Sequence, residues 1–570
     1  MVEDFSRVTD ETTIRADVAV IGAGPAGIVT ALELADRGVR VLLIESGDQT
    51  FNPAAQELSD ATLCDPQTHA PVTMAVRRQV GGTSIIWGGR CVPYDPVDFE
   101  ARPFVGSAQW PVTYDEMATY FQRSSDWFLS GRAVFSSIGM THLAKGIVPG
   151  LVDGDVTTSD LERWSLPTNF GRAHGERLRR SANVRLVTGA TCTEIVCRPE
   201  SDVAEHLRCR TLAGGTVLVE ADAFVVACGG LESTRLLLSS TGPRGGQLGN
   251  SSGHLGRWYM AHVEGVASTV QFTTPPRSTV YNYERDIDGV YIRRRFAFTR
   301  EFQLANELPN ITGWITNPEL ADASHGNGQL SFVYLALKSP LGPKLAPDAQ
   351  RLSLTGVEIP GTPYGRTPVS GWGAHLRNIA RHPLSTGRFM AEFGTKRLLV
   401  RGRRAPGFFV YNKDNRYPFQ YHSEHLPNRE SRVTLTREVD VLGMPKLAVD
   451  LRFSKADIDG VVKAHEHWDS YLRSTGVGRL DYTDPDVSAT VAARMGGGFH
   501  QIGTTRMSES PGDGVVDAQL KVHDAANVYV ASSSTFVTSS QANSTFMIVA
   551  FAVRLADHLA ERARLGTLRG

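Results

Sequence analysis

Several things are scarce in this sequence, and each absence removes a class of function. The 59 Lys and Arg are matched by 60 Asp and Glu over 570 residues, so no basic excess exists to hold a phosphate backbone. Nucleic acid is not an expected partner. Six cysteines, Cys64, Cys91, Cys192, Cys197, Cys209 and Cys228, occur without a CxxC pair or zinc-knuckle spacing. They read as reduced thiols, and no metal site is expected. The longest apolar runs, such as FMIVAFAV from Phe546, stop far short of the roughly 20 residues that span a bilayer, so membrane insertion is not expected. The polar, acidic start MVEDFSRVTDETTIRAD lacks the apolar stretch of a secretory signal, and a cytoplasmic location is the expectation. No internal repeat or low-complexity tract is visible.

What is present is ordinary globular composition, 41% hydrophobic and 21% charged, in a chain too long for one hydrophobic core. Two or three lobes are expected. Residues 17–21 (DVAVI) read as a short buried strand, a glycine turn opens the helix IVTALELADRG, and VLLIE reads as a second strand. That is a βαβ unit. A second strand-rich stretch, from about 160 to 240, reads as a return to the same sheet, with TVLVEADAFVVACGG feeding the helix-like LESTRLLLSS. Between about 271 and 485, FAFTREFQLANELPNITGWITN and QLSFVYLALKS alternate aromatic and polar residues between Pro/Gly-rich loops, which predicts an antiparallel sheet. The last segment runs from ARMGGGFHQIG through the strand NVYVASS to the amphipathic helix FMIVAFAVRLADHLAERARL.

The turn Gly22-Ala23-Gly24-Pro25-Ala26-Gly27 follows a strand and opens a helix, and Glu45 ends the next strand 18 residues after Gly27. This is the context a dinucleotide fingerprint needs. Gly22 allows the tight turn, Gly24 lets backbone approach a pyrophosphate at the helix N-terminus, and Gly27 lets the helix pack closely. Glu45 is placed to accept hydrogen bonds from adenosine ribose hydroxyls. The fingerprint alone does not separate NAD from FAD, which share the ADP half.

Four further blocks bear on that choice. The stretch Arg78–Gly89 (RQVGGTSIIWGG) is glycine-rich, Phe224–Leu237 (FVVACGGLESTRLL) joins a strand to a helix, and Gly256–His262 (GRWYMAH) is a third block. The fourth is His500–Met507 (HQIGTTRM), followed by Val528–Ser534 (VYVASSS) and Asn543. Together with the fingerprint these resemble the glucose-methanol-choline (GMC) oxidoreductases, over nearly the whole chain. The resemblance implies an α/β FAD-binding, Rossmann-like domain and a second α+β substrate domain built on an antiparallel sheet. It implies a discontinuous FAD-binding domain from 14–115, 160–270 and 490–570, a substrate-binding domain at 271–489 and a connecting or lid segment at 116–159. The residues implied for the cofactor are Gly22, Gly24, Pro25, Ala26, Gly27, Glu45 and Ser46. In the glycine-rich loop they are Gly81, Gly82, Thr83, Ser84, Trp87 and Gly88, and further on Cys192, Ala227, Cys228, Gly229, Ser532, Ser533, Ser544 and Thr545.

Within that family the Gly-Gly-Thr-Ser-x-x-Trp loop and the His-then-Asn pair are most similar to sugar oxidoreductases, the pyranose 2-oxidases, fructose dehydrogenases and bacterial glycoside 3-oxidases. Ile86 stands where fungal pyranose oxidases carry the histidine that links the flavin, so FAD without a covalent link is expected. The family's Asn-Pro pair is Asn543-Ser544 here. The implied substrate is a small alcohol or sugar, with O2 or another electron acceptor, and an oligomer is compatible with the resemblance. A lyase that keeps FAD without net redox chemistry, and a dehydrogenase serving an electron-accepting partner, stay open as alternatives.

Removing hydride from a carbinol carbon requires the hydroxyl proton to leave, and a neutral imidazole within hydrogen-bond reach is the natural base. His500 fits this role, behind three glycines, Gly496 to Gly498, whose bare backbone permits close approach to a ring system. Asn543 is expected to donate to the substrate oxygen, and it stands where a helix N-cap would. The helix N-terminus at Thr545 and Phe546 is expected to face the flavin pyrimidine. His254 and His262 read as structural.

Overall fold

The computed structural model describes residues 1–569 except 107–108, 144–145, 166–168, 199, 244, 281 and 401, and the side chain at 398. Its centre is a six-stranded, wholly parallel sheet in which Val2–Asp4, Val184–Thr188, Val41–Glu45, Val18–Ile21, Ala223–Val226 and Val528–Val530 lie side by side. Four of these strands, Val18–Ile21, Val41–Glu45, Ala223–Val226 and Val528–Val530, are buried on both faces. This is why they read as unbroken apolar runs. One face is covered by the helices Pro25–Ala35 and Thr545–Arg564, which pack on each other although 520 residues separate contacts such as Arg37 to Asp557. The stretch 216–226 divides between two sheets. Ala223–Val226 returns to the parallel sheet, whereas Thr216–Glu220 belongs to a four-stranded sheet beside it, with Thr191–Cys197, Ala204–Arg210 and Glu11–Arg15.

The second large sheet is antiparallel throughout. Its order is Gly478–Tyr482, His262–Phe272, Arg416–Glu424, Ile311–Ile315, Phe296–Phe298 and Val156–Thr157. Its apolar face packs on the helix Lys455–Ser474 through Val461, Ala464, Trp468 and Leu472. A small sheet of Glu284–Arg285, Tyr291–Arg294, Leu161–Trp164 and Arg90–Cys91 lies at the junction of the two halves. The fold is therefore a parallel α/β layer joined to a second, antiparallel layer.

The strand reading of 271–485 is corrected in two places, the first being FAFTREFQLANELPNITGWITN, where Phe296–Phe298 and Ile311–Ile315 are strands but Arg300–Ala305 between them is a helix. QLSFVYLALKS, expected as strand from its alternation, lies in the helix Gly328–Lys338. Asn327 accepts from the Gln329 and Leu330 amides and starts the helix, and the buried positions 330, 334 and 337 follow a helical spacing. The alternation of aromatic and polar residues was coincidental with that spacing.

Candidate active site

The cleft begins at the fingerprint. Gly22 takes φ +101°, and a Cβ there would stand 2.6 Å from the Ala227 carbonyl oxygen on the neighbouring strand end. Gly27 is tighter still, since a Cβ would lie 1.8 Å from the Gly22 oxygen. Both glycines are thus required by the packing of turn, strand and helix. Gly24 differs, because nothing lies closer to its missing Cβ than the Gly82 Cα at 3.9 Å. Bare backbone at the start of the helix Pro25–Ala35 therefore faces open space, as does Gly229 at the start of the helix Gly230–Ser239.

Gly22, Gly24, Pro25, Ala26, Glu45 and Ser46 line one cleft with Gly82, Thr83, Ser84 and Trp87. Cys192, Ala227, Cys228, Gly229, Ser532, Ser533, Ser544, Thr545 and His500 line the same cleft, which holds about 1360 Å³ of space between its atoms and the solvent at its mouth. Three predicted cofactor residues do not line it, and Asn543 lies just outside it. Gly27 is enclosed in the packing, Gly81 donates to the Ala23 carbonyl at 2.8 Å, and Gly88 is exposed. Phe546 also lies away from it, stacked on Phe128 with ring centres 5.7 Å apart.

Glu45 is 5% exposed, and its carboxylate accepts from the Ala23 and Gly47 amides, each at 2.8 Å. Burial nevertheless raises its pKa, with the two amides working against the rise. Two acceptor lone pairs remain for hydroxyl donors, which is what an adenosine ribose supplies. With open space at Gly24 and Gly229 and a buried acceptor at Glu45, the residues present fit a dinucleotide. Arg78 and Glu232, lining residues the sequence did not single out, form an ion pair at 2.5 Å, and Arg78 also donates to Ser46 Oγ.

At the other end of the cleft, His500 is positioned by a segment that pairs with the turn after Val528–Val530. Ser533 Oγ donates to the Gln501 carbonyl, and the Gly503 and Thr505 amides donate to Ser533 and Ser534. The glycine run before it is corrected in one respect. The groups that crowd it belong to the protein: a Cβ at Gly496 would meet the Gly361 oxygen at 2.3 Å, one at Gly497 the Ala261 Cβ at 2.6 Å, and one at Gly498 the His69 ring at 2.6 Å.

Asn543 Nδ2 lies 3.0 Å from His500 Nε2. Arg90 donates to Asn543 Oδ1, so the amide oxygen is spent on a cation and the NH2 group must face the imidazole. His500 Nε2 is then the acceptor nitrogen, the one able to take a proton. Burial of the ring, assisted by the Arg90 charge, brings the His500 pKa down to about 4. The cap expected of Asn543 is not made; the helix begins at Thr545 with Ser544 as its cap residue and no side-chain cap bond.

Arg90 itself was missed. It sits on a two-residue strand paired with Leu161–Trp164, and the register places Glu162 opposite Arg293. Glu162, fully buried, accepts from Arg90 at 2.8 Å and from Arg293 at 2.6 Å. Burial pushes its pKa up, but Arg293 and Arg90 outweigh that and hold it down. Both guanidinium groups lie over the Trp314 ring, at 5.2 and 4.4 Å.

His262 and His422, from adjacent strands of the antiparallel sheet, complete the site. Their rings lie 4.4 Å apart, and His262 lies 4.7 Å from His500. Burial, then the neighbouring imidazoles and Arg90, hold both well below the usual histidine range, so both are neutral. His262 Nε2 faces the Ala542 carbonyl at 3.0 Å and His422 Nδ1 the Gln541 carbonyl at 2.5 Å. A carbonyl only accepts, so those nitrogens carry the protons, leaving His262 Nδ1 and His422 Nε2 as acceptors. His262 Nδ1 is buried without a protein partner among the described residues, and His422 Nε2 lies 3.7 Å from Glu264. One ring nitrogen each of His262, His422 and His500 lie within 4.8 Å of one another, a spacing that reaches a metal or a polar ligand. No sequence motif signals this group, because its members stand 160 and 78 residues apart.

Comparison with known proteins gives two family matches, "GMC oxidoreductase" over residues 427–552 and "FAD binding domain" over residues 15–63. The chain is 22% identical to a 2-methyl-1,2-propanediol dehydrogenase of Mycolicibacterium austroafricanum, over 96% of both chains. It is 22% identical to the paromamine 6'-oxidase of Streptomyces fradiae, covering 95% of this chain and 91% of that one. Among solved structures, pyridoxine 4-oxidase from Mesorbium loti superposes with a TM-score of 0.54 at 16% identity, over 95% of this chain and 99% of that one.

Proposed function

From a chain that belongs to the GMC oxidoreductases, FAD-dependent enzymes acting on CH–OH groups, we propose one oxidising a hydroxyl of a sugar, glycoside or sugar-like alcohol to the carbonyl. The observation that carries this reading is the Asn543–His500 contact beside the dinucleotide cleft. FAD, when bound, supplies the acceptor for the hydride that leaves the carbinol carbon.

The protein's own groups deal with the oxygen and its proton. His500 Nε2, held unprotonated, accepts the hydroxyl proton. On substrate binding the Asn543 amide, anchored by Arg90 through its oxygen, would give up its contact with His500 Nε2 to the hydroxyl and donate to the substrate oxygen, where the nearby guanidinium charge favours the developing negative charge. The fingerprint turn and Glu45 would hold the adenosine half, and the Gly82–Trp87 loop and the Thr545 helix start would hold the rest.

The polyhydroxylated substrate class has two supports. His262 Nδ1 and His422 Nε2 present neutral acceptors to hydroxyl groups other than the reacting one, and a divalent cation in their place would meet the Arg90 charge. The two relatives matched over nearly their full length are named for 2-methyl-1,2-propanediol and for paromamine. We further propose that FAD is held without a covalent bond, because Ile86 offers no atom to link it.

Purified protein tests both readings. Anaerobic addition of sugars, glycosides and polyols should bleach the flavin with at least one of them, and acid precipitation should release yellow FAD into the supernatant. A flavin that stays oxidised with every alcohol sinks the redox reading, and yellow colour in the pellet sinks the non-covalent one.

A further inference from the structure

We infer that the outer face of the helices Trp372–Arg381 and Pro383–Gly394 docks this protein on the surface of a membrane rich in anionic lipid. The inference is independent of what the active site oxidises.

Scattered exposed apolar side chains are normal, but clustered ones are not. Among the described residues, nineteen large apolar side chains are exposed, and eight of them fall between 341 and 399. They include Trp372, 73% exposed, Leu376, Leu384, 89% exposed, Met390 and Leu399. The inner side of the same helices is properly packed. His375 stacks on Tyr334 at 4.1 Å, Asn378 donates to the Ala323 carbonyl, and Phe389 and Phe393 pack on Phe408. The exposed face is therefore not an unpacked helix pair but a surface the fold holds out.

Charge decides what it is held out toward. The chain as a whole is balanced, yet residues 367–412 contain eight Lys and Arg against a single acid, Glu392. Elsewhere even well-exposed arginines are paired, as Arg40 is with Asp17, Arg177 with Asp36 and Arg185 with Glu3. Here Arg377, Arg381, Arg388 and Arg404 have no hydrogen bond or ion pair among the described residues. Among the other described cations of this segment, Lys396 is matched by Glu392 one turn earlier, and Arg397 and Arg403 donate to the Ala405 and Leu129 carbonyls.

The two features border the exposed face from its two edges. At 100° per residue, Trp372, Leu376 and Ile379 share one stripe of their helix. Arg377 and Arg381 share a second stripe about 150° further round, across the exposed Gly373 and Ala380, and the buried His375 and Asn378 lie on the remaining side, facing the protein. An apolar stripe flanked by unpaired guanidinium groups suits a helix lying in a headgroup layer, with Trp and Leu toward the acyl chains and Arg toward phosphate. A second copy is a poorer occupant, since a two-fold contact would set this basic surface against itself. No helix among the described residues is long and apolar enough to cross a membrane, so the contact is peripheral.

The test is co-sedimentation of the FAD-loaded protein with phosphatidylcholine vesicles and with mixed phosphatidylcholine and phosphatidylglycerol vesicles. The protein should pellet with the mixed vesicles, stay in the supernatant with phosphatidylcholine alone, and be released as salt is raised. The triple variant R377Q/R381Q/R388Q should bind the mixed vesicles about fivefold less tightly per guanidinium removed. The double variant W372S/L384S should lose binding at every salt concentration. Both variants should keep the flavin spectrum and melting temperature of the parent, because all five side chains are exposed. The inference is overturned by failure to pellet with anionic vesicles, by parental binding in both variants, or by a solution dimer that W372S/L384S dissolves while no vesicle is bound.

Discussion

The two ends of the cleft are built by different means. The end proposed for the adenosine is made of backbone: two glycines that admit no Cβ, and a carboxylate whose partners are amides 22 and 2 residues away. The end proposed as catalytic is made of side chains carried in from distant segments, with Arg90 reaching Asn543 across 453 residues and His262 reaching Ala542 across 280. Local backbone geometry tolerates most changes outside its glycines. A buried charge network is exposed to every change that leaves a partner unmatched.

The sharpest break of that contrast is at Gly27. An alanine methyl would overlap the Gly22 oxygen at 1.8 Å, so Gly27→Ala should abolish flavin binding and lower the melting temperature of the cofactor-free protein. Gly24→Ala makes the comparison decisive, since its methyl meets nothing closer than 3.9 Å. That variant should keep the melting temperature of the cofactor-free protein and lose FAD affinity alone. Equal behaviour of the two would show that the Gly24 position does not face the cofactor.

Next in size is the base. General acid–base contributions are about 100-fold to 10,000-fold, and His500→Ala should slow anaerobic flavin reduction by a factor in that range with the bound-flavin spectrum kept. Reduction at the parental rate would make His500 structural and leave His262 as the residue to test.

This contrast also explains what could be read from sequence. The turn at Gly22 to Gly27 and the strand-ending Glu45 are legible because function and spacing lie within one supersecondary unit. His500 and Asn543 are legible through a motif around each. Arg90 lies in the segment next to the recognised glycine-rich loop, but nothing local says that its guanidinium reaches a C-terminal amide. Glu162 and His422 become part of the site only through strand register, which the sequence does not state, and His262, although it closes the GRWYMAH block, reads there as structural. The glycines at 496–498 mislead for the same reason: close approach was predictable, but its partners, Gly361, Ala261 and His69, come from distant loops.

The smallest expected effect is the most specific. With His500 at about pKa 4, the imidazole is already neutral above pH 5, so flavin reduction should be level from pH 5 to 8 and fall as pH drops through about 4. The sign follows from charge: burial and then Arg90 disfavour the imidazolium, and both lower its pKa. Replacing the guanidinium with an uncharged chain, Arg90→Met, removes the second cause and should move the midpoint upward toward the ordinary histidine value of about 6.5. Reduction should also slow above the midpoint, because Asn543 loses the bond that orients its amide. Glu162 keeps Arg293 as a partner in that variant, which limits the loss of stability, and a retained flavin spectrum confirms that the cleft is intact. A slower enzyme whose midpoint stays near 4 would mean that burial alone sets the base and that Arg90 acts only by orienting Asn543. A midpoint that rises with the rate unchanged would separate the two roles the other way.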